Sequence, residues 1–315
     1  MQGRWSGQSG PTTDTVLPEI SRGFTWTFRG GNQRLRVRIP MWLHGYYLGR
    51  PRSPDYAVYV IDPFDESIIS AIASQLSKYA NRNRLTEIET IDFAAAFVHS
   101  LEYVPDDVST PYDNYPRYPI ETLVHRGGDC EDASILLASI LQALRYEVGL
   151  IQVPGHLQVG VVRDRSFPGT YFELDGKRYY VLEATGSGWE VGEMPPDHQD
   201  VTGTVVPVSA SPLLVHRWSA TVTRDREVEG TAFVTNLGNT NVDRGQGLLQ
   251  LRTASGSPIG VKGWSLDATE PGETCSFNFA FGLNSGGEID GRVRLFVNGE
   301  LHDESNSPAV SIDSR

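Results

Sequence analysis

The sequence predicts an α+β unit, a helix bearing a cysteine packed on an antiparallel sheet, followed by an all-β sandwich. Three observations carry this. Residues 134–144, Ser-Ile-Leu-Leu-Ala-Ser-Ile-Leu-Gln-Ala-Leu, are apolar nearly all round and lack Gly and Pro, which marks a buried helix. Four runs of strand character follow between residues 146 and 185, two of them flanking the hairpin signal Asp175-Gly176. From Val205 onward, short runs alternate apolar and polar residues, with turn residues between them and no helical segment. The expected division is a flexible segment at 1–20, the α+β unit at 21–200, the sandwich at 205–304 and a tail at 305–315.

In chain order, residues 1–20 are polar and rich in Gly, Ser, Thr and Pro, so a flexible lead-in is expected. Gly23–Phe28 and Leu35–Ile39 alternate about a Gly30-Gly31-Asn32 turn, giving a hairpin with one buried face. Arg34, Arg36 and Arg38 share its other face and read as solvated charge. The aromatic stretch from Met41 to Tyr59 reads as packing beneath the hairpin, with a substrate-groove lining as the alternative. Asp65-Glu66-Ser67 caps an amphipathic helix from Ile68 to Leu76, and a second helix runs from Glu87 to Leu101. Residues 103–118 carry Pro105, Pro111, Pro116 and four tyrosines, the composition of a substrate wall or lid.

The strands are expected at 146–153, 156–162, 169–174 and 177–185, with Tyr179, Val181 and Glu183 on one face of the last. Trp189–Pro196 closes the unit, and 197–201 reads as a linker. The later runs, such as 215–223, 230–236, 247–253, 274–281 and 291–297, have the spacing of an immunoglobulin-like sandwich. That region resembles the adhesion-type modules appended to archaeal surface proteins, a likeness of architecture only.

The candidate site lies at 118–185. Gly127-Gly128-Asp129 breaks the chain, so the buried helix begins near Cys130. A thiol there meets unsatisfied backbone N–H groups and the positive end of the helix dipole, both of which favour thiolate. The two glycines are expected to let a substrate approach the sulfur. Glu131 and Asp132 suit the first turn but oppose thiolate, so a cation is needed, and His156 is the candidate. Cys130 as nucleophile, His156 as base and Glu183 as orienting acid make a coherent set. Taken singly, a lone cysteine is more often an inert buried hydrophobe, and a lone histidine a surface or capping residue.

Pro119-Ile-Glu-Thr-Leu123, Gly128-Asp-Cys-Glu-Asp132, Gly155-His156 and Tyr180-Val-Leu-Glu-Ala-Thr185 together resemble the core of the transglutaminase-like superfamily, relatives of papain. The resemblance covers about residues 85 to 195 and is closest to archaeal and bacterial transglutaminase-like cysteine peptidases. It implies a papain-like core, Cys130 as nucleophile and His156 as base. Asp is common at the third position, where Glu183 stands here. For the oxyanion it implies the Cys130 N–H, with Tyr103 as a further candidate donor whose other reading is ordinary packing. No cofactor is expected, although some bacterial relatives bind calcium where Asp129 and Glu131 stand; helix capping explains these two equally well.

Composition narrows the rest. Net charge is −12, which argues against nucleic acid as a partner. Only Lys78, Lys177 and Lys262 are lysine among 27 basic residues, and with the acidity this points to a high-salt, haloarchaeal or haloviral source, with an ordinary acidic protein from a GC-rich genome as the alternative. No run approaches the ~18 apolar residues of a membrane span. The first ten residues lack a signal-peptide core, so the expectation is a protein that stays inside, exits by another route or has lost a leader. Cys130 and Cys275 are both expected to be free. The function expected is amide hydrolysis by a Cys-His-Glu set on a protein or peptide. Acyl transfer from protein glutamine is one alternative, and a non-catalytic surface or virion component another. The sandwich is expected to dock a partner.

Overall fold

The computed structural model describes residues 4–10, 18–105, 115–199, 201–208, 211–223, 225–283 and 286–312. The chain divides into two compact units. One comprises Met1–Thr12, Gly49–Pro54 and Ala210–Arg315; the other comprises Thr13–Leu48 and Asp55–Ser209.

The first unit opens with β1 (Arg4–Gln8). The second begins with a hairpin of β2 (Glu19–Phe28) and β3 (Gly31–Pro40), whose Phe24, Trp26, Leu35, Val37 and Ile39 are buried. Arg34, Arg36 and Arg38 lie on the exposed face, as the alternation predicts. The turn falls at Arg29 and Gly30, both with positive φ, one residue earlier than expected. Helices α1 (Met41–Leu48) and α2 (Ala57–Val60) bury Leu43, Tyr47, Tyr59 and Val60. The helical form of this aromatic stretch is not visible in its periodicity. Helix α3 (Glu66–Asn83) is far longer than the stretch expected, because beyond Leu76 only Ala80 is buried. Helix α4 (Glu87–Val98) starts on a capping box between Thr86 and Glu89.

Next come β4 (Glu102–Tyr103), α5 (Pro119–His125), β5 (Gly127–Gly128) and α6 (Cys130–Ala143). Much of the expected substrate loop, residues 106–114, lies outside the described residues. The strands β6 (Val148–Val153), β7 (His156–Arg163), β8 (Tyr171–Leu174) and β9 (Lys177–Leu182) fall where the sequence puts them. Asp175 and Gly176, with φ of 51° and 77°, make the turn between the last two. With β10 (Thr204–Pro207) they form one antiparallel sheet in the order β10-β6-β7-β9-β8. Helix α6 packs on β6 and β7, and its Ser134 hydroxyl donates to the Leu157 carbonyl.

The first unit continues with β11 (Leu214–Val222), β12 (Glu227–Asn236), β13 (Gly245–Thr253), β14 (Pro258–Ser265), β15 (Thr274–Gly282), β16 (Gly287–Val297), β17 (Glu300–Asn306) and β18 (Val310–Ile312). Two antiparallel sheets result, β1-β11-β12-β15 and β14-β13-β16-β17 with β18 on β16. Both contribute to one core, with Trp5, Trp218 and Val234 from one and Leu249, Val293 and Leu295 from the other.

Several expectations need correction. Among the described residues strand makes up 44% and helix 24%, so they are strand-dominated rather than a papain-like α+β core with an appendage. Arg4–Gln8, expected to be flexible, pairs with β11, and Trp5 is 1% exposed. The tail expected from 305 carries the end of β17 and β18. Thr204–Pro207 extends the sheet of the second unit rather than opening the sandwich. For β1 the cause is pairing across long sequence distance. A five-residue edge strand whose partner lies some two hundred residues away leaves no local signal beyond one buried tryptophan. Among the described residues, no helix is long and apolar enough to cross a membrane.

Candidate functional site

The site is built where α6 begins. Asp129 caps the helix, accepting the Asp132 N–H at 3.5 Å, while Asp132 reciprocally accepts the Asp129 N–H at 3.4 Å. Asp132 is wholly buried and also accepts the Arg117 N–H at 2.7 Å and its guanidinium at 2.5 Å. The glycines before the cap are demanded by this packing. A Cβ on Gly128 would sit 2.2 Å from Asp132 Oδ2, and one on Gly127 would sit 2.4 Å from the Glu102 carbonyl oxygen. The space expected to admit substrate is therefore filled by the protein itself.

Cys130 is the first residue of α6 and is 8% exposed. Its Sγ–H donates to Glu131 Oε2 at 2.9 Å, and the backbone N–H of Leu157 also hydrogen-bonds the sulfur. Burial, then the Glu131 hydrogen bond and charge, push the thiol pKa far above its usual range; the Leu157 N–H opposes this and Asp129 adds to it. The helix dipole does not win. The resting sulfur is a thiol, where the sequence led us to expect a thiolate.

His156 opens β7, and its Nε2 meets Glu183 Oε2 at 2.8 Å. Glu183, 1% exposed, follows the end of β9. The same Oε2 accepts Gln158 Nε2 at 2.8 Å, while Oε1 accepts the Thr185 N–H at 2.8 Å and its hydroxyl at 2.5 Å. Burial opposes ionisation of Glu183, but the His156 hydrogen bond and charge, with those from Thr185 and Gln158, outweigh it and hold the pKa at about 2. An ionised carboxylate only accepts, so His156 Nε2 carries the proton and Nδ1 is the ring's acceptor in the neutral form. His198 stacks on the His156 ring with centroids 4.5 Å apart and planes within 3°. His99 Nε2 meets the Glu183 carbonyl oxygen at 2.8 Å.

The structure thus joins His156 to Glu183 and brings Cys130 to the residue after His156. No hydrogen bond links Cys130 to His156 in this state among the described residues. Tyr103 pairs through its backbone with Gly128 and is 58% exposed. Asp129 and Glu131 are engaged by the helix cap and the thiol, and among the described residues no group of three or more His, Cys, Asp or Glu side chains is placed to hold a metal ion. Cys275 is also free. The sequence reading passed over Gln158, Thr185, His99 and His198. Gln158 had a signal: two residues beyond His156 on one strand, it shares that residue's face.

No family model matches the chain, and no curated protein does. Among solved structures, the CARDB domain of a Pyrococcus furiosus protein, solved in complex with di-metal ions, is 17% identical, with 32% of this chain and 89% of that one covered at a TM-score of 0.26. Chicken MD-1 complexed with lipid IVa is 9% identical over 31% of this chain and 90% of that one, at a TM-score of 0.21. A DUF3823 family protein from Bacteroides ovatus is 15% identical over 53% and 89%, at 0.23. These are β-sandwich proteins, and none is transglutaminase-like or a peptidase. The resemblance to the transglutaminase-like superfamily, with the papain-like fold and the cysteine-peptidase designation it implied, is corrected accordingly.

Proposed function

We propose that the second unit is a thiol enzyme that accepts an acyl group from an amide. The observation that carries this reading is the Glu183 carboxylate, which holds His156, Gln158 and Thr185 while the neighbouring Leu157 N–H binds the Cys130 sulfur. In this reading the thiol rotates from Glu131 to His156, whose Nδ1 takes its proton. The thiolate attacks the carbonyl carbon, and the Cys130 N–H, with the Tyr103 hydroxyl as second candidate, receives the oxyanion. The tetrahedral adduct expels the amine, protonated by His156, and leaves a thioester. Water, deprotonated by His156, then releases the acid and the thiol; an amine in that role gives acyl transfer instead. Glu183 stays ionised throughout and fixes the imidazole.

A second reading, a non-catalytic scaffold, is favoured by one observation: the sulfur is turned to the Glu131 carboxylate, at 2.9 Å. The test is incubation with a peptide mixture in molar salt, followed by mass spectrometry. New amine and acid termini, or amine adducts, that vanish with Cys130→Ala support the enzyme. An identical peptide profile for the two proteins supports the scaffold.

A further inference from the structure

Beside the site, but separate from it, lies a cavity of 380 Å³ lined by Trp26, Phe28, Asp92, His99, Trp189 and Glu190, among others. That volume is of small-ligand scale. Two lining residues carry buried polar atoms with no partner among the described residues, Trp26 Nε1 and Asp92 Oδ1, and Trp26 is 8% exposed. Unpaired buried polar atoms are costly, and each calls for a partner such as a water, an ion or a ligand.

The charges favour a cation. Arg29 also lines the cavity, but Glu89 pairs with it at 2.6 Å, and its guanidinium already lies 5.4 Å from the Phe28 ring centroid. The Arg29 charge therefore offsets Asp92 only in part, Glu190 adds a second carboxylate, and the two tryptophans are the remaining aromatic walls. Burial, then the charge of Glu190, raises the Asp92 pKa to about 6; the Val191 N–H and Arg29 oppose this, and Glu193 adds to it. Burial lowers the His99 pKa, so His99 supplies no positive charge at neutral pH. A cation over an indole face, with a carboxylate beside it, answers the negative charge of Asp92 and Glu190. The acceptor that Trp26 Nε1 lacks would be a carbonyl next to the cation's stem.

We propose that this cavity binds an organic cation, a guanidinium or primary ammonium on a short apolar stem next to a carbonyl group. Its wall is tied to the candidate site twice. His99 lines the cavity and bonds the Glu183 carbonyl, and Ser187 to Glu190 follow four residues after Glu183. The cation is thus a basic side chain of the amide substrate, an identification that rests on the reading above; cation binding itself does not.

The test is titration of tryptophan fluorescence and calorimetry with Nα-acetyl-arginine amide, Nα-acetyl-lysine amide, the neutral citrulline counterpart and agmatine. The wild-type protein and Cys130→Ala are expected to bind the basic amides equally, and citrulline roughly ten- to a hundred-fold more weakly. Asp92→Asn, which keeps an oxygen for the Val191 N–H, is expected to lose that discrimination, and wild-type affinity falls as pH drops through about 6. Trp189→Ala gives the same loss from an independent side chain. Citrulline binding as well as arginine, or both variants keeping full affinity, overturns the cation site. Agmatine binding without the amides overturns the substrate side chain and leaves the cation site standing. Failure of the amide chemistry leaves every binding arm unchanged.

Discussion

The thiol of Cys130 rests on Glu131, so replacing that carboxylate is the sharpest perturbation available. Glu131→Gln removes a negative charge whose oxygen lies 2.9 Å from the sulfur and which raises the thiol pKa both by its bond and by its field. A unit charge at about 4 Å is worth about 1 kcal/mol in water and about 4 kcal/mol near a protein surface. At about 1.4 kcal/mol per pH unit, the thiol should titrate about 1 to 3 pH units lower in the variant. The assay is the pH dependence of iodoacetamide alkylation, read by mass at Cys130, in a Cys275→Ser background because Cys275 is a second, partly exposed thiol. Between pH 7 and 9 the variant should react at least about tenfold faster than its parent. An alkylation curve unmoved by the substitution would refute the assignment of Glu131 as the group that keeps the sulfur protonated.

Other outcomes follow from the same geometry. Arg117→Ala removes the charged partner of the buried Asp132 carboxylate beneath the helix start, and urea denaturation of the second unit should show a loss of about 3–5 kcal/mol. Glu183→Gln should slow any Cys130-dependent turnover at least about a hundredfold while leaving peptide binding intact, since it removes the group that orients His156. Acid should also cost stability through Glu183. Its pKa falls from 4.5 to about 2 on folding, so its contribution, roughly 3 kcal/mol, is complete above pH 4.5 and lost as pH falls to about 2. In the sandwich unit, His302 is neutral, its Nε2 accepting the Leu214 N–H, and burial, then Arg50, lowers its pKa from 6.5 to about 4. The unfolded chain takes up that proton first, so calorimetry should show this unit losing roughly 3 kcal/mol between pH 6.5 and 4, a drop that His302→Gln flattens.

What could be read from the sequence were features set by near neighbours. The strands from Val148 to Leu182 follow from runs rich in β-branched and aromatic residues and from Asp175-Gly176, whose two positive φ angles are what such a turn requires. Helix α6 follows from an unbroken apolar run and its Asp129 cap. The meeting of His156 with Glu183 follows from strands that pair as neighbours, β7 with β9. What could not be read was set by partners distant in sequence or by a single rotamer. Strand β1 needs β11, and the two-residue pairing of Tyr103 with Gly128 is too short to leave a period. The state of the sulfur turns on where the Glu131 side chain points, since its carboxylate and the positive end of the helix dipole pull in opposite directions. The family resemblance failed for a related reason: short motifs around a cysteine and a histidine describe a local arrangement, and a shared site geometry does not establish a shared family.

The most direct measurement is intact-mass analysis of the protein after exposure to p-nitrophenyl acetate, with peptide mapping of the modified residue and a parallel His156→Ala sample. An acetyl thioester on Cys130 is expected, forming at least about a hundredfold more slowly without the imidazole. Acetylation confined to other residues, or a Cys130 rate indifferent to His156, would contradict the account.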